Sequence, residues 1–193
     1  MSQQKDKTAL ILIDFQKGFD DITYWGGNRN NPDAEINAKK ILDFFREHAL
    51  PVFHVQHYSD NPKSRLAEGN EGHEIKDLLK PVHDEVLIKK NVNSAFIGTD
   101  LKDRLDADNI TKLVIVGLTT DHCVSTTTRM AGNYGYETYL LSDATATFDK
   151  IGYDGKKYPA ELIHETALAS LHNEFANVLT TNEMIKKFML GTS

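Results

Sequence analysis

Thr8-Ala-Leu-Ile-Leu-Ile13 decides the fold class. Its apolar residues follow one another without alternation, the pattern of a strand buried on both faces at the centre of a parallel sheet. Outward from it, strand and helix signals alternate along the chain. Pro51–Gln56, Glu85–Lys89, Lys112–Gly117, Glu137–Leu141 and Asn177–Leu179 read as further strands. Helices are expected from about Asp33 to His48, Asp100 to Leu105 and Asp121 to Asn133, and from Pro159 onward. Asn31 suits the N-cap of the first helix and Pro32 its first position, with Asp33 and Glu35 at the positive end of the dipole. Thr180 and Glu183 form a capping-box pattern for a last helix. Such alternation predicts right-handed crossovers and an α/β fold of three αβα layers. Residues 58–84 form an unusually long connection, which in a compact domain is ordinarily functional.

The chain has 193 residues, with 22 Lys+Arg against 28 Asp+Glu, a net charge of −6. That length fits one domain spanning 1–193. The acidic balance argues against a general nucleic-acid surface, which needs clustered cations. No apolar run approaches the roughly 20 residues of a membrane span. Met1–Lys7 lacks the apolar core of a signal peptide. Cys123 is the only cysteine, which excludes an intrachain disulfide or a CxxC pair. The expectation is a reduced cytoplasmic protein acting on a small molecule, with neither nucleic acid nor membrane as partner.

In open α/β sheets, ligands bind beyond the carboxyl ends of the strands. Asp14 follows the first strand, Lys90 the third, and Cys123 lies just past the fourth, in the first turn of the next helix. Singly, these are ordinarily a turn former, a solvated cation and a packing residue. Together they suit nucleophilic chemistry. A helix N-terminus favours thiolate, Asp14 can accept the thiol proton, and Lys90 can hold Asp14 ionised.

His54 and His57 stand three apart on a strand, so they point to opposite faces and do not converge on one metal ion. His57, at the strand end, is expected in a pocket or at a subunit contact. Gly26-Gly27 and Gly132…Gly135 lack the context of a phosphate loop. Phe15, Phe19, Tyr24 and Trp25 follow the first strand as an aromatic cluster, part core and part pocket wall.

Three motifs, in order, resemble the isochorismatase-like cysteine hydrolases. They are Leu10-Ile-Leu-Ile-Asp14-Phe-Gln16, Lys90-Asn-Val-Asn-Ser94-Ala-Phe96-Ile-Gly-Thr99-Asp-Leu101, and Gly117-Leu-Thr-Thr-Asp-His-Cys123-Val. Ser142-Asp-Ala-Thr-Ala-Thr147 and the stretch from Glu161 to Thr181 match as well, so the resemblance covers about residues 7–190. It implies a six-stranded parallel sheet in a Rossmann-like isochorismatase fold. It implies an Asp–Lys–Cys triad at Asp14, Lys90 and Cys123, with Lys90 chosen over Lys89 because the family lysine stands four residues before the motif serine, here Ser94. It also implies a cis Leu118–Thr119 peptide and an oxyanion hole from the backbone N–H groups of Thr119 and Cys123.

Two departures narrow the branch. Nicotinamidases carry Asp-x-His metal ligands where this chain reads His57-Tyr58-Ser59, so neither metal nor cofactor is expected. Isochorismatases that cleave a vinyl ether tend to have Gly where Cys123 stands. The resemblance is strongest to metal-free amidases, including streptothricin hydrolase-like members. The favoured expectation is a cysteine amidohydrolase of a small amide, lactam or related C–N bond, working through a thioester. The rivals are hydrolysis of a vinyl ether or other carbonyl substrate, and a non-catalytic binding or thiol redox-sensing module. Phe19, Trp25, His57, Phe148 and Tyr153 are the expected substrate contacts. The resemblance further implies a homodimer or homotetramer.

Overall fold

The computed structural model describes residues 7–191. Its main sheet has six parallel strands: β1 (Lys7–Ile13), β2 (Val52–His57), β3 (Val86–Lys90), β4 (Ile110–Leu118), β5 (Glu137–Ala146) and, after a two-strand hairpin of β6 (Lys150–Ile151) and β7 (Lys157–Tyr158), β8 (Asn177–Leu179). The helices are α1 (Ile22–Trp25), α2 (Ala34–Glu47), α3 (Leu101–Ala107), α4 (Ser125–Asn133), α5 (Ala160–Leu171) and α6 (Thr181–Gly191). The spatial order is β3-β2-β1-β4-β5-β8. The chain steps outward from β1 to β3, returns to β4 beside β1, then steps outward the other way. The junction of β1 and β4 is therefore the switch point at which such sheets bind ligands.

The two-residue period of β1 builds both cores. Leu10 and Leu12 pack on one face with Phe44 and Phe45 of α2 and Met184 of α6. Ala9, Ile11 and Ile13 pack on the other with Leu101 and Leu105 of α3, Ala131 of α4 and Leu171 of α5. Every residue from Ala9 to Ile13 is at most 2% exposed, as the unbroken apolar run requires. Each such Leu or Ile contributes roughly 1.5–3 kcal/mol through burial. The edge strand β3 alternates instead, with Leu87 and Lys89 outward and Ile88 and Lys90 buried.

The structure corrects several local expectations. Asn31 is not the N-cap of α2. Asp33 stands there, without a side-chain cap bond. Asn31 adopts a positive φ of 44° and donates its amide to the carbonyl oxygens of Ser142 and Thr145, each at 2.8 Å. The pairing of β4 with β5 shifts register between Ile115↔Leu140 and Gly117↔Thr145, and an irregular stretch of β5 needs donors from outside the ladder. Beyond it β5 resumes, so this strand runs to Ala146 instead of ending at Leu141. The capping box at Thr180 and Glu183 is present: the Thr180 N–H donates to Glu183 Oε2 at 2.8 Å and the Glu183 N–H to Thr180 Oγ1 at 3.3 Å.

Gly117, in β4 beside the switch point, has φ +149° and lies against β1. A Cβ there would sit 2.3 Å from the Ile13 carbonyl oxygen, a contact that cannot be relieved by a side-chain rotation. Gly117→Ala is expected to lower unfolding stability by about 3 kcal/mol or more, through clash and disfavoured backbone together. A urea midpoint that stays within error of wild type would contradict this.

Candidate active site

Asp14 ends β1 in a left-handed conformation, φ 53°, which Asp tolerates better than most residues. Its N–H still donates to the Val55 carbonyl at 2.9 Å, so the turn is pinned to β2. Lys90 closes β3. Its burial follows from the alternation that also buries Ile88, whereas Lys89 points outward to Glu68. Cys123 lies in a π-helical turn, Thr120–Val124, between β4 and α4. The Leu118–Thr119 peptide preceding that turn is cis.

The three side chains meet. Lys90 Nζ donates to Asp14 Oδ2 at 2.7 Å and lies 3.2 Å from Cys123 Sγ. It also lies 3.2 Å from His57 Nδ1. Asp14 and Lys90 are buried and Cys123 is partly so. Asp14 Oδ1 is buried without a hydrogen-bond partner. Burial disfavours the charged form of Lys90, but the Asp14 carboxylate beside it, with the further contact to Cys123, outweighs this and holds the amine charged.

The expectation that a helix terminus would favour the thiolate is corrected. Burial first, then the neighbouring Asp14 carboxylate, push the Cys123 thiol up to about 12, against the opposing pull of Lys90. The resting form is a neutral thiol beside a carboxylate and an ammonium. His57 is held below its ordinary value, by burial and then by Lys90, so it is neutral at neutral pH.

Among the described residues, Asp14, His57 and Cys123 bring three metal-type donor atoms within 4.8 Å of one another. They do not fit a metal ion well, because Lys90 Nζ already contacts all three and supplies the positive charge there. A divalent ion would be pressed against an ammonium. Ser59 spends its hydroxyl locally, accepting from the Asn61 N–H. His54 turns to the opposite face and pairs with Glu85.

Asp14, His57, Thr119 and Cys123 line a cavity of about 640 Å³. Among the described residues, the Thr119 N–H has no acceptor. One wall is aromatic: the Phe19 and Trp25 rings stack at 4.7 Å, and the Phe148 ring lies 6.2 and 6.1 Å from them. The indole N–H of Trp25 is spent on the Gly18 carbonyl, which fixes the ring. Of the expected substrate contacts, Phe19, Trp25, His57 and Phe148 are here, and Phe148 serves the core as well.

Tyr153 is not. The segment after β5 folds into the β6–β7 hairpin, and Tyr153 sits fully exposed in its turn. Sequence reasoning also missed residues that are here. Asn93 lines the cavity with its Oδ1 3.8 Å from Cys123 Sγ, and its place inside the Lys90–Ser94 motif was a usable signal. His122 and Lys150 stand together in the lining, Nζ to Nε2 2.8 Å, and Lys150 is ion-paired to Asp121. Nothing in the local sequence marked Lys150, because only the hairpin brings it there.

Comparison with known proteins agrees with this architecture. Residues 8–183 match the Isochorismatase domain family. The isochorismatase family protein YrdC of Bacillus subtilis is 51% identical over 185 residues, covering 96% of this chain and 98% of that one. An isochorismatase-family structure from Chromobacterium violaceum superposes with a TM-score of 0.90 at 38% identity, covering 95% and 94% of the two chains. N-carbamoylsarcosine amidase from Thermoplasma acidophilum superposes at 0.71 with 25% identity, covering 91% and 96%. The chain belongs to the isochorismatase family of hydrolases, with amidases among its relatives.

Proposed function

We propose that this protein is a cysteine-dependent hydrolase of a small amide, lactam or related C–N bond. The observation that carries the reading is the contact of Lys90 Nζ with both Asp14 and Cys123 on the lining of an aromatic-walled cavity. The amidase relative supports the choice of bond.

With the thiol pushed up to about 12, free thiolate is scarce at pH 7, so the nucleophile must form as it attacks. Asp14 takes the Cys123 proton, for which its unpartnered Oδ1 is available. Sulfur adds to the carbonyl carbon, and the new oxyanion is received by the backbone N–H groups of Thr119 and Cys123, each typically worth ~3–4 kcal/mol. Lys90 keeps its charge throughout and offsets the negative charge near sulfur. Protonated Asp14 then gives its proton to the departing nitrogen, and the C–N bond breaks. Asp14 next takes a proton from water, the hydroxide opens the thioester, and Cys123 is reprotonated. No step requires a metal.

A panel of amides, lactams and vinyl ethers tests the reading. For whichever amide is turned over, Cys123→Ala should abolish hydrolysis, and mass spectrometry of the quenched wild type should show an acyl group on Cys123. Vinyl-ether cleavage with inert amides would overturn the choice of bond.

Asp14→Asn should move two readouts in opposite directions. Removing the carboxylate lowers the Cys123 pKa, so iodoacetamide should alkylate the thiol faster than in wild type. The same change removes the base and should cost at least about 10²-fold in turnover. Parallel loss of both would contradict the assigned role. Exhaustive chelation should leave turnover within error of untreated enzyme; loss restored by added zinc would refute a metal-free mechanism.

A further inference from the structure

The role of His57 follows from counting protons on Lys90. An ammonium has three N–H donors and no lone pair. Lys90 Nζ has three neighbours within reach: Asp14 Oδ2 at 2.7 Å, Cys123 Sγ at 3.2 Å and His57 Nδ1 at 3.2 Å. For all three to be hydrogen bonds, His57 Nδ1 must carry the lone pair and its proton must sit on Nε2.

The placement is built into the sheet. His57 and Lys90 are register partners at the ends of β2 and β3, and their side chains share the face that also holds Val55 and Ile88. The backbone of His57 is clamped by the fully buried Gln16, two residues beyond Asp14. The His57 N–H donates to Gln16 Oε1 at 2.9 Å, and Gln16 Nε2 donates to the His57 carbonyl at 2.8 Å. Gln16 Nε2 also holds the His73 carbonyl at 2.8 Å. The turn after β1 therefore supplies both the carboxylate that grips Lys90 and the amide that fixes its third partner.

We propose that His57 is a positioning residue: its neutral, Nε2-protonated ring accepts the third N–H of Lys90 and so keeps the ammonium fixed between Asp14 and Cys123. The charged and titratable groups facing the ring are Lys90 from β3, Asp14 from the end of β1, Cys123 from the turn after β4, and Asp60 and His73 from the long connection after β2. Burial and Lys90 both favour the neutral ring, against Asp14 and Asp60. The inference concerns the side chains of the proposed mechanism, but its test needs no substrate and stands or falls separately from amide hydrolysis.

Asn and Leu have nearly the same shape and differ in whether the side chain offers an acceptor. His57→Asn places an amide oxygen near the position of Nδ1, and His57→Leu places a methyl there. Lys90 lowers the Cys123 pKa, so freeing it to move raises that pKa further. Alkylation of Cys123 by iodoacetamide at one pH, read by mass spectrometry, is expected to be about tenfold slower in His57→Leu than in His57→Asn, one pKa unit. Equal rates in the two variants would overturn the proposal. The intact protein supplies a second measurement. Long-range ¹H–¹⁵N spectra of histidine-labelled wild type at pH 7.5 should show His57 as the Nε2–H tautomer, and Lys90→Met should relax that preference. An Nδ1–H tautomer or a charged ring in wild type leaves no lone pair for Lys90 and would also overturn it.

Discussion

A fully buried ammonium organises this protein's carboxyl edge. Lys90 cannot be desolvated without compensation, since an unpaired buried charge costs several kcal/mol. Its partners come from β1, β2 and the turn after β4, so satisfying one amine ties together the ends of four strands. Removing any one partner leaves charge or polarity stranded. The same arrangement bears on the resting state of the thiol, because burial first and then the carboxylate that stabilises Lys90 raise Cys123. Stability of the edge and reactivity of the sulfur are two expressions of one electrostatic balance.

The fold was largely legible because β1 declares itself. Five consecutive apolar residues can only be satisfied by helices on both faces, and the alternation of Leu10 and Leu12 against Ile11 and Ile13 delivers them. The central strands and most of the helices follow from similar runs. What escaped depended on contacts distant in sequence. Asn31 looked like a cap from its neighbours, but its amide answers carbonyls of Ser142 and Thr145, more than a hundred residues away. The π-helical turn at Cys123 replaces a regular first turn, and no local propensity distinguishes the two.

The candidate site was legible in its residues and less so in its electrostatics. Position at strand ends and motif order pointed to Asp14, Lys90 and Cys123, and the structure brings these side chains together. The sign of the thiol's shift was missed because helix polarity is a local signal, whereas burial and the Asp14 charge are tertiary. Tyr153 was misplaced for a related reason: no strand is expected between Leu141 and Asn177, and a two-residue strand carries too little pattern to reveal a hairpin.

Phe148 is 1% exposed and belongs to the core while its ring also bounds the cavity. Phe19 shares that double membership. Substituting either ring to reshape this wall also removes packing from the core beneath it. The β6–β7 hairpin contributes to the same lining without belonging to either core cluster. Ile151 lines the cavity yet is mostly exposed, and Tyr153 in the turn beyond it is fully exposed. In this chain, reshaping the cavity at Ile151 therefore sacrifices little buried surface, whereas reshaping it at Phe19 or Phe148 also disturbs the core.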